Sequence, residues 1–122
     1  MELETKSAVN KHFWHVTPKN NEALIFKEGI IKSEDGNFGE GVYCIEEGDL
    51  NSLKSVLGLE SFEDNGYELK DLAVVEFQYS GNYQIFKPIM RSYHGEKWVI
   101  IKEKINQNQI IKTIKTINSE DF

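Results

Sequence analysis

His12–Ile31 reads HFWHVTPKNNEALIFKEGII, and Gly36–Cys44 reads GNFGEGVYC. The aromatic run HFWHV favours a short strand, and Pro18 closes it because a pyrrolidine ring cannot donate to a β-ladder. A helix is expected next: in KNNEALIFKEG either asparagine can cap, the middle consists of helix-forming or neutral residues, and Gly29 is placed for a left-handed C-terminal cap. Ile30–Gly41 reads as a short extended piece and a loop, whose glycines supply turns that side-chained residues resist. VYCI is then a second short strand.

Working outward, GDLNSLKSVLGL reads as a second helix with Asp49 or Asn51 as its cap, and SFEDNGYE as loop. From Leu72 the character changes. LAVVEFQYS is β-rich, Gly81-Asn82 is turn-like, and YQIF continues as a strand. KWVIIKEKI and QIIKTIKTI, divided by the polar NQNQ, favour strands through their β-branched content. Strand, helix, strand, helix, then mostly strands predicts an α+β domain with an antiparallel or mixed sheet, not a doubly wound one.

A chain of 122 residues fits a single domain, 1–122, on one hydrophobic core. Its 39% hydrophobic and 28% charged residues are ordinary for a soluble globular protein, and no apolar run reaches membrane-spanning length. The N-terminus lacks the pattern of a secretory signal, and the single Cys44 permits no intramolecular disulfide, so a cytoplasmic location is expected. The net charge of −6 argues against a general DNA-binding domain, although the C-terminal third, with Lys87, Arg91, Lys97 and Lys102, is the more basic part. The acidic stretch Leu59–Leu72 reads as a solvated loop.

General motifs do not account for the opening stretch. GNFGEG is neither a Gly-x-Gly-x-x-Gly after a strand nor a P-loop, and no Gly-x-Ser-x-Gly elbow occurs. His12, His15, His94 and Cys44 lack zinc-ligand spacing, so no metal is expected.

FWHVT, then NNEALIFKEGII, then FGEGVYC resembles the ADP-ribosyltransferase superfamily, in its diphtheria-toxin-like and poly(ADP-ribose)-polymerase-like branch. Members carry an aromatic-His-x-Ser/Thr strand, a helix ending in Gly-Ile/Leu, and a Gly-x-Gly-Ile/Val-Tyr strand. Their third element is a glutamate opening a later strand, for which GEKWVII offers Glu96. The resemblance covers approximately Lys11 to Ile117. It implies an ADP-ribosyltransferase-like fold of split mixed or antiparallel β-sheets with two short helices, and NAD as co-substrate.

In a strand, side chains alternate, so Phe13, His15 and Thr17 share one face while Trp14 and Val16 share the other. The resemblance implies NAD contacts from His15, Val16, Thr17, Gly41 and Tyr43: His15 on a ribose hydroxyl, Thr17 buttressing, and Tyr43 stacking on nicotinamide, with Gly39 and Gly41 letting the backbone approach. It assigns catalysis to His15, Tyr43 and Glu96. Loss of nicotinamide leaves an oxocarbenium-like ribose, which a carboxylate stabilises more in the transition state than in the ground state. Glu103, Glu76 and Glu46 are the substitute carboxylates. Cys44 faces away from Tyr43 as a small buried hydrophobe, and Trp98 reads as core.

Val16 stands where the polymerase branch has glycine, and there is no room for a regulatory helical domain, so a single transfer to a macromolecular acceptor, protein or nucleic acid, is expected. A small bacterial or phage effector or toxin is the analogue. Related RNA phosphotransferases need further basic residues, and Arg91 is the one arginine. The alternatives are a catalytically inactive module binding NAD, ADP-ribose, another nucleotide or a protein partner, and an NAD glycohydrolase.

Overall fold

The computed structural model describes residues 3–34, 39–57, 64–87 and 97–114, with the backbone alone for Ser55 and Ile114. Its elements are β1 (Leu3–Pro18), α1 (Glu22–Glu28), β2 (Val42–Glu46), α2 (Leu50–Leu57), β3 (Leu72–Phe86), β4 (Trp98–Ile101) and β5 (Ile110–Ile114). This is an α+β chain with one five-stranded sheet and two short helices, and every strand pairing is antiparallel.

Two long strands organise the sheet. β1 runs 16 residues, so the expected HFWHV strand is only its second half. The first half, LETKSAVN, is mostly exposed and carries no apolar alternation; it is a strand because Leu3–Ala8 pairs with Gly81–Phe86. β3 runs unbroken through Gly81-Asn82, where a turn was expected. The irregularity there is a bulge. Ala8 pairs with Gly81 and Lys11 with Tyr79, so Val9 and Asn10 oppose Ser80 alone. Asn10 takes φ 49, a left-handed conformation that asparagine tolerates better than most side-chained residues, and its N–H donates to Ser80 Oγ at 2.8 Å.

The bulge lets β3 change partners. Its first half pairs with β5, from Val74 opposite Ile114 to Phe77 opposite Ile110; its last residues, Gln84–Phe86, pair with β4. Since β4 also pairs with β2 and β2 with β1, strands β1, β2, β4 and β3 close a circuit, with β5 outside it. The expected strand Lys97–Ile105 is cut to four residues. Beyond it the backbone bends, and Ile105 instead forms an isolated bridge with Ile30.

Two apolar clusters follow from strand alternation. Phe13, Val75, Phe77, Ile85, Val99, Ile101, Val42 and Cys44 share one with Ile25 of α1. Phe13 is fully buried, its ring 5.7 Å from that of Phe77 and 5.2 Å from that of Tyr83. Burying such a side chain contributes roughly 1.5–3 kcal/mol. On the opposite face Val16, Ile45, Leu72 and Val74 pack against Leu53 of α2.

The helix ends explain their sequences in part. Asp49 caps α2 as expected, accepting from Ser52 N at 3.2 Å and from Ser52 Oγ at 2.6 Å. Asn21 sits at the cap position of α1 without a side-chain cap bond; its Nδ2 donates back to Thr17 Oγ1 at 3.3 Å. Gly29 ends α1 at φ 84, ψ −173. That is not the left-handed cap expected but an extended positive-φ conformation open essentially to glycine alone. A Cβ there would sit 2.0 Å from the Ile105 carbonyl oxygen, so the Ile30–Ile105 bridge also demands glycine.

Candidate functional site

His15 lies in the second half of β1, opposite Val75 of β3. Trp14 pairs with Ile45 of β2, and continuing that register sets His15 against Cys44 and Val16 against Tyr43. The half-buried imidazole donates from Nδ1 to the Tyr43 carbonyl at 2.9 Å. That bond leaves Nε2 as the acceptor nitrogen of a neutral ring. Burial lowers the His15 pKa against the opposing pull of the Tyr43 carbonyl. A neutral histidine with a fixed tautomer can accept a hydrogen bond from a hydroxyl.

Thr17 falls on the same face of β1, as alternation requires. It is buried and engaged by Asn21, so it braces the corner between β1 and α1. Val16 points the other way into the cluster under α2.

Tyr43 does not share a side-chain face with His15. Val42 and Cys44, its chain neighbours, both belong to the Phe13 cluster, and so does the face from which His15 projects. Tyr43 therefore emerges on the opposite face, directly across from Ile100 of β4. Its hydroxyl donates to the Gly39 carbonyl at 2.6 Å. The two residues meet through the backbone of Tyr43, and the expectation that their side chains flank one nicotinamide is corrected on this point. Gly41 has a different role as well. A Cβ on it would lie 2.8 Å from Ile100 Cγ2 and 3.1 Å from the Ile101 carbonyl oxygen. The missing side chain admits β4.

Glu96 lies outside the described residues. Each of the substitute carboxylates is engaged by partners other than His15. Glu46 is held by Lys11 at 2.6 Å and Lys97 at 3.6 Å; burial acts to raise its pKa, but the two cations outweigh it and the net shift is downward. Glu76 is buried, and its two oxygens accept from Trp14 Nε1 at 2.9 Å and His12 Nδ1 at 3.1 Å. Glu103 accepts from the Tyr79 hydroxyl at 3.1 Å. Burial, with Glu103 adding to it, pushes the Tyr79 phenol up to about 12.

The His12–Glu76–Trp14 group was not singled out in the sequence. Its signal was present: Glu76 sits in LAVVEFQ on the face of Leu72 and Val74, where a charge needs partners. Cys44 is buried as expected, and burial, followed by the charge of Glu46, pushes its thiol well above the usual range. Trp98 is half-buried, and its Nε1 finds no acceptor among the described residues. No three His, Cys, Asp or Glu side chains among the described residues are grouped as a metal ion requires, and no helix there is long and apolar enough to cross a membrane.

Comparison with protein-family models, with curated proteins and with solved structures finds no match to this chain.

Proposed function

We propose that this protein is an NAD-dependent mono-ADP-ribosyltransferase that transfers one ADP-ribose to a macromolecular acceptor, protein or nucleic acid. The observation that supports this reading best is the fixed tautomer of His15. Nδ1 is tied to the Tyr43 carbonyl, so Nε2 is held ready to accept a ribose hydroxyl without a reorientation step. The motif order from FWHVT to FGEGVYC adds the resemblance. In this reading Glu96 supplies the carboxylate that stabilises the oxocarbenium-like ribose as nicotinamide departs, and the acceptor nucleophile takes the vacated bond.

A second reading is favoured by the placement of Tyr43. With Tyr43 on the face away from His15, its ring does not stand beside the His15 imidazole, and a module that binds NAD, ADP-ribose or another nucleotide without turnover fits that geometry. Incubation with labelled NAD and a cell lysate separates these readings. Label on protein or nucleic acid supports transfer, free ADP-ribose supports hydrolysis, and saturable binding without consumption of NAD supports the silent module.

A further inference from the structure

Asn65 is the one asparagine in this chain that is followed by glycine. The pairing carries its own chemistry. A backbone amide nitrogen can attack the side-chain carbonyl carbon of an asparagine that precedes it, and the residue owning that nitrogen decides how closely the two atoms approach. Glycine has no Cβ in the way and restricts the chain least.

The fold leaves this pair open. Asn65 and Gly66 are both exposed, in the segment between α2 and β3. Gly66 takes φ 82, a Cβ built on it would meet nothing within 4 Å, and its N–H donates to no acceptor among the described residues. The anchors come after it: Tyr67 packs against the cluster under α2, and the Glu68 N–H donates to Asp71 Oδ2 at 2.9 Å. Other asparagines are placed differently. Asn51 precedes a small residue too, but Ser52 is fully buried in α2 and its amide donates to Asp49 Oδ1 at 3.2 Å. Asn82 lies within β3 opposite Ser7, with the bulky Tyr83 next, and Asn10 Oδ1 accepts from Ser80 Oγ at 3.3 Å.

We propose that Asn65-Gly66 is a self-modification site, at which Asn65 deamidates to aspartate and isoaspartate. The Gly66 nitrogen attacks Asn65 Cγ, and the new C–N bond closes a succinimide ring. The Cγ–Nδ2 bond breaks, the proton lost by the Gly66 amide passes through solvent to Nδ2, and ammonia leaves. Water then opens the ring: cleavage at Cγ gives aspartate, and cleavage at the main-chain carbonyl carbon gives isoaspartate. Solvent water is the one co-reactant. Either product adds a carboxylate between Asp64 and Glu68, and isoaspartate also lengthens the main chain by one carbon just ahead of the Tyr67 anchor. The site is independent of the His15 face and stands whether or not that face takes NAD.

The test incubates the full chain in mildly alkaline buffer, folded and in urea, and follows each asparagine peptide by mass spectrometry, with isoaspartate separated from aspartate by chromatography. In the folded chain Asn65 is expected to convert first, at a rate close to its rate in urea. Conversion at Asn51 is expected to be severalfold slower folded than in urea. Gly66→Ala should slow conversion at Asn65 severalfold; its measurement in urea keeps the comparison if the variant does not fold. Absence of conversion at Asn65 in the folded chain, protection of Asn65 by the fold as strong as that of Asn51, or an unchanged rate in Gly66→Ala would overturn the proposal.

Discussion

His15 Nδ1 donates to the carbonyl oxygen of Tyr43 at 2.9 Å while the tyrosine side chain leaves the sheet on the other face. One strand-to-strand contact thus sets the tautomer of the histidine and separates it from the aromatic ring with which its sequence context paired it.

The contact has a pH signature. His15 has a folded pKa below its ordinary 6.5, because burial penalises the imidazolium more than the Tyr43 carbonyl favours it. Below pH 6.5 the unfolded chain therefore binds a proton that the folded chain refuses. Stability is expected to fall as pH drops from 7 through about 6.5 toward the folded-state value. His15→Asn, which can still donate to the carbonyl but does not titrate, should flatten this slope. Urea denaturation of both proteins between pH 5 and 8 checks it, and parallel slopes would count against the assignment.

Gly29 and Gly48 offer a paired test of backbone strain against collision. Both have positive φ, 84 and 83, but a Cβ at Gly29 meets the Ile105 carbonyl at 2.0 Å whereas one at Gly48 meets nothing within 4 Å. Gly48→Ala should cost about 1–2 kcal/mol. Gly29→Ala should cost roughly 3 kcal/mol or more, since α1 and the Ile105 segment must part. Equal midpoints in urea would contradict the bridge between Ile30 and Ile105.

Glu76 should matter for stability. Glu76→Ala strands the half-buried Trp14 indole N–H and removes the partner of His12, an expected loss of about 1–3 kcal/mol. Glu76→Gln keeps an acceptor for the indole and should lose less. Chemical denaturation gives the energies, and a shift in tryptophan emission in Glu76→Ala but not in Glu76→Gln would locate the change at Trp14.

Gly41→Ala distinguishes packing from ligand access. The added methyl meets Ile100 and the Ile101 carbonyl, so an overpacking cost of about 1–3 kcal/mol is expected. A variant as stable as the parent would return Gly41 to the role of admitting a ligand.

The elements most legible in the sequence were those with local chemistry. Asp49 announced α2 because its carboxylate can satisfy the first turn, and VYCI announced β2 through its apolar, β-branched run. The first half of β1 was not legible. Leu3–Ala8 has little apolar signal of its own and is a strand only because β3 continues past its bulge to meet it. Gly81-Asn82 carries the chemistry of a turn, and long-range pairing on both flanks overrides it. The site divides the same way. Alternation along β1 placed His15 and Thr17 on one face correctly, but which face of β2 meets that one depends on register between strands, which no spacing within either strand reveals.

The most direct test of the account is transfer of label from adenylate-labelled NAD to lysate macromolecules by the full chain, beside His15→Ala and Glu96→Gln. The account predicts covalent label with the parent and its loss in both variants, each shown to be folded. Absence of covalent label with the parent, or label undiminished in His15→Ala, would contradict it.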